Sequence, residues 1–278
     1  MPSTSTLTRT ASGMRQDASW AATAAAHFTR HLRAARRDSA VVMNTLAVPF
    51  LMFMVMRWLF GDLIAASQGT NQLDLLPLTI ALILSCELMN GTSAAAHILR
   101  ERQRGITARI ATTRYGTAPE MLGRWGYDGL RSALSGCSVL VAALLSGLRI
   151  HSWAGAGWIL VVIVLGAMTA ASLSAAVGAM GSTPESAMGP APIIMAAMTL
   201  NGGLVPVERF AGVVQPLARW NPLTFAVRAA TTIDGSPASQ ILEAGQPGAP
   251  VWMFLIWMVG LTVVLLAAAG TFRRPVMS

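Results

Sequence analysis

Residues Leu99 to Trp125 read LRERQRGITARIATTRYGTAPEMLGRW, with six arginines at Arg100, Arg102, Arg104, Arg109, Arg114 and Arg124. Long apolar runs flank this stretch on both sides. A charged, helix-prone insert between apolar runs has no use inside a bilayer, so it belongs at a membrane surface. It is costly to keep there unless something outside the membrane contacts it. On this reading the flanking runs are transmembrane helices and the insert is a loop held on one side.

Composition agrees. Hydrophobic residues make up 54% of the 278 positions and charged residues 12%, where soluble globular chains are nearer a quarter charged. Mean hydropathy is +0.55 and the pI about 11.3. The net charge of +8 does not form a nucleic-acid stripe; it sits in blocks beside apolar runs, as the positive-inside rule predicts. All of the basic charge is arginine. Without lysine there is no Walker A loop, so this chain is not expected to hydrolyse ATP. Cys86 and Cys137 lie in apolar runs and make neither a disulfide framework nor a zinc site. The first 38 residues lack the apolar core of a secretory signal, so insertion is expected to rely on the first internal span.

A helix crosses the bilayer with about 20 mainly apolar residues. Six segments qualify: Val41–Phe60, Leu75–Ile98, Pro119–Leu148, Trp153–Met180, Met188–Leu204 and Val251–Phe272. The fifth is short and starts beside Pro190 and Pro192. An even count puts both termini on one side. Arg9, Arg15, Arg30, Arg33, Arg36 and Arg37 precede the first span, six arginines follow the second, and Arg273-Arg274 follow the last. The opposite loops hold chiefly Arg149, Arg209, Arg219 and Arg228. Both termini are therefore expected in the cytoplasm of a bacterial cell, with a multi-pass chain in its plasma membrane; the arginine and alanine usage is that of a GC-rich source.

Residues 1–18 are expected to be a disordered tail, 19–38 an amphipathic helix and 39–278 the membrane domain. From Trp20 to Arg37, Trp20, Ala24, Phe28, Leu32 and Ala35 share one helical face, with Arg30, Arg33, Arg36 and Arg37 opposite. Such a helix lies along the membrane with its arginines at anionic headgroups. Between Asn201 and Pro250, Phe210, Val213, Val214, Leu217 and Trp220 recur at helical spacing. The Trp220-Asn221-Pro222 break follows, and helix resumes from Leu223 to Ile233. Both pieces are too short to span and predict a re-entrant helix pair, followed by a flexible outer loop at Gly235–Gly248.

The charged insert resembles the cytoplasmic coupling segment of ABC type-2 exporter permeases, whose E-R-E-x-G-T-x-x-x-L-x-x-T-P run follows the second span. Here it reads Arg100-Glu101-Arg102-Gln103-Arg104-Gly105-Ile106-Thr107, then Ile110-Ala111-Thr112-Thr113. Gln103 and Arg104 depart from the acidic and small polar residues of the pattern, and Arg114 stands in place of its proline. Gly203-Leu204-Val205-Pro206-Val207-Glu208 through Leu217, then Trp220-Asn221-Pro222-Leu223 and Arg228, also resemble the family's pattern. The likeness runs from about Arg30 to Phe272. It implies an all-α, six-span permease that dimerises, most simply as a homodimer, and works with two copies of an ABC ATPase subunit. ATP and Mg would then sit on that partner, with no cofactor on this chain. It also implies an N-terminal connecting helix (Phe28, Arg30, Leu32, Arg33, Arg37), which touches the ATPase or simply anchors the chain. The coupling residues would be Arg100, Glu101, Arg104, Gly105, Ile106, Thr107 and Ile110, with Ile106 and Ile110 in an ATPase groove, Glu101 and Arg104 on its rim, and Gly105 permitting close approach or a bend at its start. Pro206, Glu208, Trp220, Asn221, Pro222 and Arg228 would form the outer gate.

The polar residues within spans are few. Glu87 lies mid-span with Asn90 one turn on. The insertion cost at a helix centre, about 2.5–3.5 kcal/mol for Asp, Lys or Arg, requires a partner, a wet cavity or the bundle interior. The pair are candidate translocation-path residues, or a structural hydrogen bond between helices. Arg124, Asp128 and Arg131 are spaced to pair along one helix face. His97 and His151 lack metal-ligand partners, and no nucleophile motif occurs. Sixteen methionines and many small residues suit an adaptable cavity or close helix packing. The expected cargo is an amphipathic drug, antibiotic or lipid. A polysaccharide or lipid-linked glycan is the alternative within the family, disfavoured by 6% aromatic residues. An intramembrane enzyme using Glu87 and Asp128 is the alternative of another class.

Overall fold

The computed structural model describes residues 19–67, 74–113, 115–202, 205–239 and 248–271. The expected tail at 1–18, Arg114, Gly203-Leu204, most of the outer loop and Arg273-Arg274 lie outside them. The described residues are mainly helical, with no strand among them.

Helix α1 (Trp20–Arg37) starts where the Ser19 hydroxyl accepts from the Ala22 N–H. Helix α2 begins at Ser39–Val42, passes through a π-turn at Met43–Ala47 and continues as Val48–Ser67. Helix α3 (Leu75–Gln103) is capped by Asp74; α4 (Ile106–Ala111) and α5 (Ala118–Leu145) follow. Helix α6 (Trp153–Met180) is capped by Ser152, whose hydroxyl accepts from Gly155. Beyond a 3-10 turn at Pro184–Met188 come α7 (Ala191–Thr199), a 3-10 turn at Val207–Arg209, α8 (Gln215–Arg219), α9 (Pro222–Asp234) and α10 (Pro250–Thr271).

Five helices among the described residues are long and apolar enough to cross a membrane: Ser39–Asp62, Leu75–Gln103, Ala118–Leu145, Trp153–Met180 and Pro250–Thr271. The segment expected as a fifth span, Met188–Leu204, is not a single long helix. Its nine-residue α7 covers about 13 Å at 1.5 Å per residue, less than half of a ~30 Å hydrocarbon layer. The cause is local: Pro190 and Pro192 hold helix formation to a start at Ala191, and α7 ends at Thr199, with Leu200 as its C-cap just before Asn201-Gly202. The first member of the expected re-entrant pair also differs. Phe210–Val214 is turn rather than helix, and α8, with Pro216 in its first turn, has only five residues.

Helix α3 is the hub: 94% of its most apolar window is buried, against 17% for α2 and 11% for α10. It runs parallel to α6, because Glu87, Gly91 and Ile98 meet Gly166, Ala170 and Gly178 in order. It runs antiparallel to α5, because Arg131 reaches Asn90 and Arg124 reaches Glu101. Helix α2 is parallel to α5: Ser138 donates to the Leu46 carbonyl at 2.5 Å, and Ser146 donates to Met54 Sδ at 3.6 Å. Helix α10 is parallel to α6, through the Trp158–Phe254 ring contact and the Thr169–Thr262 hydroxyl pair. At one end of the bundle Ala187 packs with Ala95, Ala96 and Leu99. At the other, Ser236 donates to Asp74 and Asp234 meets Ser152. Between Ala187 and Asp234 the chain therefore passes from end to end in pieces. Helix α1 and the C-terminus of α10 lie at the same end.

Candidate functional site

Helix α1 docks on the start of α5. The contact is close at Gly123, where a Cβ would stand 2.5 Å from the Ala24 carbonyl oxygen. Ala24 and His31 are buried, His27, Phe28 and Leu32 half-buried, and Arg33, Arg36 and Arg37 exposed. The inward face is thus centred on Ala24, His27 and His31, with Phe28, which lies against Gly126, and Leu32 on its flank. Burial first, and the Arg30 guanidinium second, lower the His27 pKa below 6.5.

An ion cluster joins this helix to the end of α3. Arg124 of α5 pairs with Glu101 and donates through Nε to Glu120 Oε1 at 3.2 Å. Glu120 Oε1 lies 3.7 Å from His31 Nε2 and 4.0 Å from Arg30 Nη2. His31 also stacks on Tyr127 at 5.6 Å between centroids. Two expectations are corrected here. Glu101 is not a free rim charge, since Arg124 holds it within this chain. Arg124, Asp128 and Arg131 do not pair along one face: Asp128 accepts from Ser174 at 2.7 Å, and Arg131 donates to the Asn90 carbonyl at 2.8 Å. Each reaches another helix because these helices pack closely. His31 and Tyr127 escaped the sequence reading, although His27 and His31 at i and i+4 marked the face that docks.

Beyond the cluster the chain turns out of the bundle. Gly105 sits at φ +71°, a left-handed conformation glycine takes without Cβ strain, and it separates α3 from α4. Among the described residues nothing lies within 4 Å of where its Cβ would stand, so its service here is the bend. Helix α4 has no buried residue. Ile106, Thr107 and Ile110 are half-exposed; Arg100, Arg104 and Arg109 are exposed. Arg102 donates to the Ala179 carbonyl at 3.5 Å, tying the root of the segment to α6. The structure thus groups the expected coupling residues on one projecting loop and helix, with Glu101 turned inward.

Midway along the bundle Glu87 has no exposed surface. Asn90 is engaged by Arg131 through its backbone carbonyl and, at 3.4 Å, through its side-chain oxygen. The structural hydrogen bond between helices that was the alternative for Glu87 is not made, since neither carboxyl oxygen has a partner among the described residues, and Asn90 is engaged by Arg131.

At the far end, Asn221 caps α9, accepting from the Leu223 N–H and donating to the carbonyls of Ala197 and Leu200 at 2.5 and 3.0 Å. Pro222 occupies the first turn of α9, where its missing N–H costs nothing. Trp220 is 52% exposed and meets Phe225 edge-on. Pro206 precedes the 3-10 turn that carries exposed Glu208. Arg228 lies on α9, within the helix expected from Leu223 to Ile233, and is buried there. Asp234 closes α9, accepting from the backbone N–H of His151 and Ser152 at 2.8 and 2.9 Å, from the Ser152 hydroxyl at 3.3 Å, and lying 3.0 Å from His151 Nδ1.

No group of three or more His, Cys, Asp or Glu suited to a metal occurs among the described residues. At one end of the bundle a projecting segment is tied by ions to a surface helix and to the hub. The family model described as ABC-2 type transporter matches residues 25–233. The probable doxorubicin resistance ABC transporter permease protein DrrC of Mycobacterium tuberculosis, strains CDC 1551 / Oshkosh and ATCC 25618 / H37Rv, is 23% identical over 231 residues. That alignment covers 82% of this chain and 79% of the relative. With its apolar helices and projecting charged segment, the chain belongs to the ABC-2 type transporter family and is a multi-pass transmembrane subunit of an ABC exporter.

Proposed function

We propose that this chain forms the membrane path of an exporter driven by two copies of a separate ABC ATPase, which bind ATP and Mg and dock on α4. The observation that carries this reading is the exposed α4, with Ile106 and Ile110 one turn apart and partly uncovered outside the bundle. An amphipathic helix presented this way suits a partner groove. Glu101 and Arg124 then carry movement of the α3–α4 junction to α1 and α5. ATP binding closes the ATPases together and shifts the permease between two conformations of different cargo affinity.

The working unit is two copies of this chain. Irregular backbone at membrane depth must be covered by protein or line a wet cavity. The broken passage around α7 and α8 leaves Ile193 at 73%, Val213 at 92% and Leu217 at 63% exposed, and a second copy supplies cover. The pieces between Ala187 and Asp234 serve as a sixth crossing, placing both termini in the cytoplasm of a bacterial cell. Cargo is amphipathic, in keeping with the doxorubicin resistance for which the mycobacterial relative is named. Glu87 and Asn90 lie beside the path; Pro206, Glu208, Trp220, Asn221, Pro222 and Arg228 belong to its outer gate.

The test is Ile110→Glu in membranes carrying the partner ATPase. Normal insertion with lost co-purification and lost cargo-stimulated hydrolysis is expected; unchanged binding and export would overturn the reading. Orientation is tested separately by single cysteines at Ser3 and Ser239 in a background lacking Cys86 and Cys137. They are expected to label from opposite faces of intact cells, and labelling from one face would refute the six-crossing arrangement.

A further inference from the structure

Glu87 has a setting that neither docking nor bundle packing requires. Both of its carboxyl oxygens are buried with no hydrogen-bond partner. The site is shaped around the group: Gly136 of α5 and Gly166 of α6 face it from two sides, and a Cβ on either glycine would collide with a carboxyl oxygen. Ile83 meets Gly136 and Leu84 meets Gly166, closing the walls with hydrocarbon. Helices α3 and α6 also approach closely one turn away, where a Cβ on Gly91 would stand 2.5 Å from the Ala170 carbonyl oxygen.

The titratable neighbours are the thiols of Cys86 on α3 and Cys137 on α5. Helix α6 contributes none, since Trp153–Met180 holds no charged or titratable side chain. The nearby cation on α5, Arg131, donates to Asn90, and no ion pair joins it to Glu87. Asp128 is held by Ser174. An ionised carboxylate here would be desolvated with neither a donor nor a counter-charge, whereas the neutral acid avoids that penalty.

We infer that Glu87 is a proton-binding site in the core of the permease: it holds a proton while α3, α5 and α6 are packed as here, and releases it when they part. The step is a simple acid dissociation. The Oε–H bond breaks, its electron pair stays on the carboxylate, and water admitted between the helices takes the proton; closure reverses it. Small separations suffice because the carboxyl lies directly against the glycines of α5 and α6, with only Ile83 and Leu84 beside them. Intramembrane acids on moving helices are suited to such exchange. The ligand is the proton itself, and the export cycle acquires a proton linkage through one side chain. This second half rests on the two-state cycle proposed above; protonation of the closed bundle does not.

Infrared spectroscopy of the full chain in lipid nanodiscs tests both halves. At neutral pH the wild type should show a protonated-carboxyl C=O band that shifts on deuteration and on carbon-13 labelling of glutamate and is missing from Glu87→Gln. The other described glutamates are ion-paired or exposed, so the isotope shift assigns the band even if the variant assembles poorly. No such band in the wild type would overturn the site. The complex with its ATPase, trapped with nucleotide, should lose the band. A band unchanged by trapping, in a complex that still exports, would make Glu87 a static acid and overturn the linkage. A complex that does not export at all would instead count against the exporter reading, leaving the closed-state band to stand or fall alone.

Discussion

Two buried carboxyls, one at the end of the bundle and one in its middle, are held in opposite ways. Asp234 closes α9 against α6, with two backbone N–H groups, a serine hydroxyl and a histidine around it. Glu87 is as deeply buried and has no polar partner, only glycine and hydrocarbon walls. The first arrangement fixes a joint, because the charged group accepts from two backbone N–H groups that would lose this partner without it. The second fixes nothing. It stores a group whose charge state depends on whether three helices stay closed, and that separates parts of the bundle that hold from parts that respond.

The contrast can be broken by substitution. The largest effect is expected at Asp234→Ala, which strands the donors of His151 and Ser152 and should cost on the order of 3 kcal/mol. It would be read as a large fall in thermal midpoint and in surface display of the outer end. Gly166→Ala should come next, about 1–3 kcal/mol by overpacking, because the added methyl collides with the Glu87 carboxyl. Pairing it with Glu87→Ala should recover most of the loss if collision is the cause. Gly105→Ala should cost about 1 kcal/mol through its positive φ, seen as weaker ATPase affinity with an intact bundle. The smallest stability effect is expected at Glu87→Gln, within about 0.5 kcal/mol of wild type, since no hydrogen bond is lost. A drop as large as that of Asp234→Ala would erase the distinction between the two carboxyls.

What the chain reveals before folding depends on whether the signal is local. Trp153–Met180 was predictable to the residue because a continuous apolar run and an N-capping serine are adjacent in sequence. The bend at Gly105 was legible for the same reason, since a glycine divides a charged helix end from a new apolar pair. The pairing of Arg124 with Glu101 was not, as it joins positions on antiparallel helices and competes with the nearer Asp128. Helical spacing favoured Asp128; packing of α5 against α3 chose Glu101. The passage after Ala187 was misjudged because average hydropathy over Met188–Leu204 reads as a span, whereas two prolines and Asn201-Gly202 cut it to nine helical residues. The walls around Glu87 could not be foreseen, because Gly136 and Gly166 acquire meaning only once α3, α5 and α6 are side by side.

The central claim is that α4 is where an ATPase engages this permease. It is tested most directly by site-specific crosslinking from position 110 in the assembled complex, with Ser39 at the membrane entry of α2 as control. The account predicts that a short photoreactive side chain at Ile110 captures the ATPase in high yield, that the Ser39 probe does not, and that nucleotide trapping alters the Ile110 yield. Capture from Ser39 with none from Ile110, in a complex that still exports its cargo, would contradict it.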